Sequence, residues 1–490
     1  MQIRNFNILG INSYTNPLVP ANNDYASVYG LSQINQGVQD DGILIRAVNV
    51  DSQPQGAKQK RPGYGTFLSN SDGSQVNSLF SWQKDNGTSI YLYRASGSLL
   101  YYYDEGAGTG DWTICGNGTI TAGSNVTNAV LGNTLIISDG GTTRHTTTGT
   151  SFTDTTLAPP AIDLVQYQNR IYAAGTSSTL FYSTANDATN WNTSGTSDSS
   201  SLQIPDAGRL LRIFKLGGNL IASKSSGKMF IWDGYNLIDM STTLGLTSAQ
   251  SFAKVENYGF WLNRNGFFYS SGGVSQLISN PIQRYIYNNQ STGIAGTTFD
   301  NAPSAIHRYD YLTSVGSIRD DFTNEPLNNA IAKYSYQKNE WLFYQFNNLP
   351  TSFTSYKDRS GNQQLIFGDG TGQTYKYGGT YTDDNGQSIQ SVMELVYHLN
   401  YPHIDKEFRW IWLFFNPGCQ AKIQVAITDA FSRPSKKWVD VGDVSTGVVK
   451  FRFPPGSKGK FLFLKIYEAS RNTPFTYYGC AIDANLNPQI

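Results

Sequence analysis

The amino-acid sequence predicts an almost entirely β-stranded chain, a multi-bladed β-propeller followed by a small C-terminal β-sandwich. Three observations carry this. Aromatic residues reach 13%, led by 31 Tyr, beside 48 Gly; such rings fit a pleated, half-buried surface, while Gly, Asn and Asp make tight turns. From 76 to 388 a unit of short strand, Gly- or Asn-containing hairpin and aromatic strand recurs about every 40–50 residues, the period of propeller blades. At 389 the strands lengthen, charge rises and the alternation becomes cleaner. Helical spacing is rare, so only Asn280-Pro281-Ile282-Gln283-Arg284-Tyr285-Ile286-Tyr287 is read as one short helix.

Residues 1–75 form an N-terminal arm and first strands. Thr15-Asn16-Pro17 and Pro20-Ala21-Asn22-Asn23 read as an extended arm, Ile43 to Val50 as a strand, and Lys60-Arg61-Pro62-Gly63-Tyr64-Gly65 as a turn into another. Part of 43–68 is expected to complete a blade by pairing with a later strand, since closure removes exposed sheet edges. Residues 76–388 are the propeller. Its clearest units are Leu79 to Tyr103, Ala129 to Ile137, Leu164 to Tyr182 and Ile213 to Trp232. Others follow at Ser251 to Tyr269, His307 to Phe346 and Phe353 to Tyr377. The pairs Gly132-Asn133, Gln168-Asn169 and Gly217-Gly218 take equivalent places between two strands. The spacing gives roughly five to seven blades, with the hairpin at 283–300 leaving the count open. Residues 389–490 carry strands at Phe408 to Phe415, Ala421 to Ile427, Val448 to Phe453, Lys460 to Tyr467 and Phe475 to Ile482, enough for a separate sandwich. Trp410 and Trp412 share one face of the first of these.

A chain of 490 residues exceeds the size of a single core. Charged residues make up 15% and balance at 36 basic and 36 acidic, which argues against a dedicated nucleic-acid or membrane-surface binder. The nearest basic cluster, Lys58, Lys60 and Arg61, reads as a solvated strand end. Cys115, Cys419 and Cys480 are too few and too far apart for a disulfide framework, and read as small hydrophobes in a reducing cytoplasm. Met1 to Phe6 has no apolar core of a signal peptide, and no 18-residue apolar run exists for a transmembrane helix. The expectation is a protein made in a host cytoplasm, without membrane insertion.

The sequence offers little chemistry. His398 and His403 lack the helical spacing and companions of a metal pair, and His145 and His307 stand alone, so all four read as surface or strand-edge residues. Gly368-Asp369-Gly370-Thr371-Gly372 lies between two strands, so it is a hairpin and not a phosphate loop. Asp383-Asp384-Asn385-Gly386 has half a calcium loop and reads as an interdomain turn. A propeller glycoside hydrolase needs carboxylates converging at the funnel, and Asp104, Asp233, Asp310 and Asp369 are scattered without a motif. Ser183 to Trp191 resembles the Asp-box of sialidases, but lacks its glycine and is one residue too long. No catalytic, cofactor or metal residue is assigned, and an enzyme is not expected.

Several segments in order resemble the β-propeller structural proteins of tailed bacteriophages, especially the tail nozzle. Asn49-Val50-Asp51 with Lys60-Arg61-Pro62-Gly63-Tyr64 is similar to their "N-V-D … R-P-G-Y" opening. Asn169 to Gly175 with Phe181-Tyr182-Ser183, Asp187 and Trp191 resembles a central blade. Phe367 to Tyr375, then Asp384 to Ile389, resembles the last blade and exit, and Lys406-Glu407-Phe408 leads the following sandwich. The resemblance implies a virion tail component in a homo-oligomeric ring, often hexameric, through which DNA exits without specific binding. It also implies neighbours among the adaptor, fibre or spike proteins, no cofactor and no catalytic site. The competing expectation is a tail adhesin holding a host glycan or surface protein through Tyr- and Trp-bearing loops.

Overall fold

The computed structural model describes residues 7–10, 43–52, 57–84, 87–108, 110–195, 197–240, 243–286, 294, 299–319, 325–429, 438–444, 447–468, 470 and 474–487. The expected arm at 15–23 lies outside them. Helix among the described residues is limited to single turns at Ala249–Ser251, Asn280–Ile282 and Gln283–Ile286 and to the pair Phe299 and Asp300.

Six four-stranded sheets and one end of a nine-stranded sheet form seven propeller blades. Blades 1 to 5 occupy 76–119, 127–154, 163–203, 210–239 and 253–277, blade 6 occupies 304–345, and blade 7 occupies 352–377. Blade 7 takes its outermost strand, Tyr64–Thr66, from the N-terminal side of the chain, pairing Tyr64 with Tyr377 and Thr66 with Tyr375. The ring is thereby closed by strands about 310 residues apart in sequence, which leaves no open end to the array of blades. Two of the three hairpin pairs take a left-handed backbone at both residues, Gln168 (φ 44°) with Asn169 (φ 57°) and Gly217 (φ 58°) with Gly218 (φ 84°), whereas in Gly132-Asn133 only Gly132 does (φ 56°).

A belt of hydrogen bonds passes from blade to blade near the axis. Ser78 Oγ accepts from Val126 N (2.8 Å), Thr127 Oγ1 from Leu164 N (3.0 Å), and Asp163 Oδ2 from Ile213 N (2.8 Å). Arg212 Nη1 donates to Ala249 O (2.6 Å), and Ser304 Oγ to Gln250 O (3.0 Å). Thr351 Oγ1 donates to Val76 O (2.7 Å), which returns the belt to blade 1, while blades 6 and 7 are joined at the far end of the inner strand, where Arg308 N donates to Gln363 Oε1 (2.8 Å). Apolar clusters fill the wedges between blades, among them Phe214 stacked on Phe252 at 4.0 Å across blades 4 and 5. Burying each such ring stabilises the ring of blades by roughly 1.5–3 kcal/mol.

The sandwich is not confined to 389–490. Strand Ile43–Val48 lies between Glu340–Gln345 of blade 6 and Ser391–Tyr397, so blade 6 runs on into one sandwich sheet without a break. The other sheet is ordered 50–51, 58–60, 476–487, 405–415 and 448–452, with Asn7–Gly10 also paired to Thr476–Asn487. One apolar core, including Leu395, Ile411, Leu413, Leu464 and Tyr477, fills the sandwich and continues to Phe260, Tyr311 and Trp341 of blades 5 and 6.

Trp410 and Trp412 do share a face, and it is the outer one. Phe408, Ile411, Leu413 and Phe415 point into the core, while the two half-buried indoles stack on each other at 6.2 Å. Lys450 Nζ lies over Trp410 at 4.3 Å, and Arg452 over the same ring at 5.5 Å. Trp410→Ala or Trp412→Ala should therefore cost about 1 kcal/mol. Trp341→Ala, removing a fully buried ring, should cost about 3–5 kcal/mol. Urea denaturation of the three variants checks the contrast; equal losses would place the sandwich tryptophans in the core.

Candidate functional site

The motif residues singled out near the N-terminus converge on the junction between propeller and sandwich. Asn49 leaves strand Ile43–Val48 with a left-handed backbone (φ 57°), a conformation asparagine tolerates better than most side chains. Its amide reaches three elements at once. Nδ2 donates to Gln390 O (2.7 Å), and Oδ1 accepts from Gln345 N (2.7 Å) and Arg61 Nε (2.8 Å).

Arg61 is fully buried, so each of its five N–H donors needs an acceptor. All five have one. Nε bonds Asn49 Oδ1, Nη1 bonds Asp384 Oδ1 (2.8 Å) and Pro62 O (2.9 Å), and Nη2 bonds Asp384 Oδ2 (2.6 Å) and Gln345 O (2.9 Å). The guanidinium also lies over the Phe346 ring at 4.6 Å. Burial opposes its charge, but the paired Asp384 outweighs that and holds it above the usual arginine range. Burial in turn raises the Asp384 carboxyl, against the pull of Arg61. At Gly63 a Cβ would sit 1.9 Å from Asp383 O, so only glycine lets the two backbones pass. Tyr64 then enters blade 7 with its ring edge-on to Phe367 at 4.9 Å.

The cluster read as a solvated strand end is thus buried throughout. Lys58 pairs with Glu340 of blade 6 (2.9 Å), Lys60 with Glu468 of the sandwich (2.7 Å), and Arg61 with Asp384. The strand carrying the first two is covered on both sides, which three like charges tolerate only because three acids from other elements meet them.

Beside this staple is a cavity of about 500 Å³, lined among others by Asp51, His307, Asp310, Lys333, Tyr344 and Tyr377. Lys333 Nζ bridges Asp51 (2.5 Å) and Asp310 (2.9 Å). Burial disfavours its charge, yet the two carboxylates outweigh burial and raise it above the ordinary lysine range. Burial pushes Asp310 up against the attraction of Lys333, whereas at Asp51 Lys333 wins over burial and the carboxyl falls. A lysine so held is a fixed cation and not a base. The sequence signal for it was Ala330-Ile331-Ala332-Lys333-Tyr334, a charge inside an apolar strand that demands a buried partner.

The carboxylates considered for hydrolysis do not meet. Asp310 is in this cluster, whereas Asp104 caps the turn at Gly106 and Asp233 the turn at Tyr235. Asp369 orders its own hairpin through Thr371 and Gln373 and accepts from Asn348 and Tyr375. Asp187 caps Thr189, and Trp191 is buried beside it. His398 and His307 are buried, against expectation, because the strand ends that carry them are covered by Phe461 and Tyr377; His145 is half-buried on Thr155, and His403 is exposed. Cys115, Cys419 and Cys480 are buried thiols. Among the described residues no group of three or more His, Cys, Asp or Glu could hold a metal ion, and no helix is long and apolar enough to cross a membrane.

The sheet order and the closed belt define a β-propeller. Solved structures similar to the chain include three at low identity. YCF48 from Cyanidioschyzon merolae is 13% identical, covering 64% of this chain and 98% of that one at a TM-score of 0.40. The WD40 propeller domain of Doa1 is 10% identical over 65% and 97% (TM-score 0.40), and BBS1N in complex with ARL6DN is 9% identical over 66% and 99% (TM-score 0.44). No protein-family model and no curated protein matches the chain.

His307 gives the site a pH signature. Burial, then the neighbouring Arg308 and Lys333 charges, hold its imidazole down at about 4, with Asp51 pulling the other way. Below pH 6.5 the unfolded chain takes up a proton that the folded one refuses, so stability falls as pH drops from about 6.5 towards 4. At pH 5 the loss from this residue should be about 2 kcal/mol. Denaturation at pH 7 and 5 should show His307→Gln losing that much less than the parent; an unchanged difference would mean the imidazole titrates normally.

Proposed function

We propose that the chain is a ring-forming structural component of a phage tail, of the nozzle type, and takes no part in chemistry. One observation carries this reading. The residues that make the N-terminal resemblance, Asn49, Asp51, Arg61, Gly63 and Tyr64, are those that join propeller to sandwich. A motif whose residues all hold the body together belongs to a protein whose task is its shape. The ionisable groups at the junction neutralise one another, which suits a rigid building block better than a catalyst.

The conduit then lies between copies and not along the propeller axis. Gln250 Nε2, in the turn that leads into blade 5, reaches Asn77 O of blade 1 at 3.4 Å, so one side chain spans the bore. The DNA path is the lumen of a homo-oligomeric ring whose subunits stand side by side, with adaptor and fibre or spike proteins as axial neighbours. Zero net charge suits transit, because every phosphate held would slow the DNA.

Electron microscopy of the purified chain should show rings with an open centre. Particles lacking the protein should lose normal retention or ejection of DNA. Monomers or trimers in solution, with mutant particles that eject normally and fail only to attach to cells, would reject the conduit in favour of an adhesin.

A further inference from the structure

The propeller axis encloses a cavity of about 550 Å³, walled by the inner strands of all seven blades. That volume lies within the range of small-molecule sites. Its wall mixes apolar and polar surface and is unevenly charged. Asn77, Asn128 and Gln166 contribute amides, and the charged residues are Asp163, Arg212, Lys215 and Lys254. Asp163 is buried behind the wall, accepting from Thr127 Oγ1 (2.8 Å) and Ile213 N (2.8 Å), with Arg212 Nε at 3.7 Å. Those two charges offset each other. Lys215 and Lys254 remain, both exposed, on the neighbouring inner strands Leu210–Leu216 and Ala253–Val255. Each stands one residue before its strand ends, so the pair marks one mouth of the bore.

Two ammonium groups converging on one bore repel each other. Among the described residues neither has a carboxylate partner. Burial and then Lys215 hold Lys254 below the ordinary lysine range. A free-standing structural part gains nothing from this arrangement, and glutamine at either position would keep the blades intact, since neither side chain takes part in the inter-blade belt.

We propose that this mouth binds a small polyanion carrying phosphate or carboxylate groups, its charge met by Lys215 and Lys254 and its other oxygens by the amides of Gln166 and Asn128. The bound anion removes the repulsion between the lysines and lies above the constriction at Gln250. The site is independent of the tail reading and would serve any propeller with this wall.

Titration calorimetry of the full chain at constant ionic strength, with tripolyphosphate and citrate as probes and acetate as the monovalent control, tests this. One polyanion per chain should bind, with tripolyphosphate tighter if the natural ligand carries phosphate and citrate tighter if it carries carboxylates. The double variant Lys215→Gln/Lys254→Gln should weaken binding at least about tenfold. Lys422→Gln/Lys458→Gln, the same change of charge on exposed lysines of the sandwich, should leave it unaltered. Equal weakening in both double variants, undiminished binding without the channel lysines, or no binding of either probe would overturn the proposal. A melting curve of each variant confirms that folding is intact, and the single variants, each losing part of the affinity, provide a second reading.

Discussion

A guanidinium cut off from water must find an acceptor for every N–H, and the constraint that Arg61 sets in this way organises the junction. Its five partners come from Asn49, Pro62, Gln345 and both oxygens of Asp384. Those residues belong to the N-terminal strands, the last strand of blade 6 and the exit from blade 7. None can move far without leaving a buried donor unmet, which costs about 1–3 kcal/mol for each group and more where charge is involved. The geometry forced by Arg61 also explains Gly63, where the chain must cross Asp383 with no room for a Cβ. It delivers Tyr64 to the outer edge of blade 7, so the staple and the closure of the ring are one feature.

The rest of the molecule follows from that closure. With the first and last blades joined, each inner strand sits beside two others, and short side chains near its start can bridge to the next blade. Ser78, Thr127, Asp163, Ser304 and Thr351 do so through side-chain hydrogen bonds. Closely packed inner strands leave a narrow axis, crossed by Gln250. A propeller built this way is a closed ring of blades around an axial cavity and not an open tube. The continuous sheet from blade 6 through Ile43–Val48 into the sandwich makes propeller and sandwich a single elastic body.

Much of this was legible in the sequence, because blades are local. Alternation, aromatic content and the turn pairs identified hairpins whose strands lie close together in the chain, and the left-handed φ values at Gln168-Asn169 and Gly217-Gly218 answer the residues found there. Of the non-local pairings only one was legible, the expectation that part of 43–68 completes a blade with a later strand, which Tyr64–Thr66 does. Nothing in Lys58, Gln59 and Lys60 announces that Thr476 and Tyr477 will be their strand partners, so their charges looked solvated. Period-two alternation grouped Trp410 with Trp412 correctly but could not say which face meets the core; the apolar residues Phe408, Ile411, Leu413 and Phe415 on the opposite face decided it. At the junction the motif residues were visible, whereas their role was not, since Asp384 and Gln345 lie about 300 residues away from Arg61.

Whether Arg61 welds the two bodies into one cooperative unit is tested most directly by calorimetric unfolding of the chain beside its Arg61→Lys variant. Lysine keeps the charge but has three donors and no planar fork, so two acceptors and the bidentate pair with Asp384 are lost. The unaltered chain should unfold in a single transition whose calorimetric and van't Hoff enthalpies agree. The variant should lose about 3–5 kcal/mol and separate into two transitions, as expected when a buried pair is broken. Two transitions already present in the unaltered chain, or a variant as stable as its parent, would contradict the account.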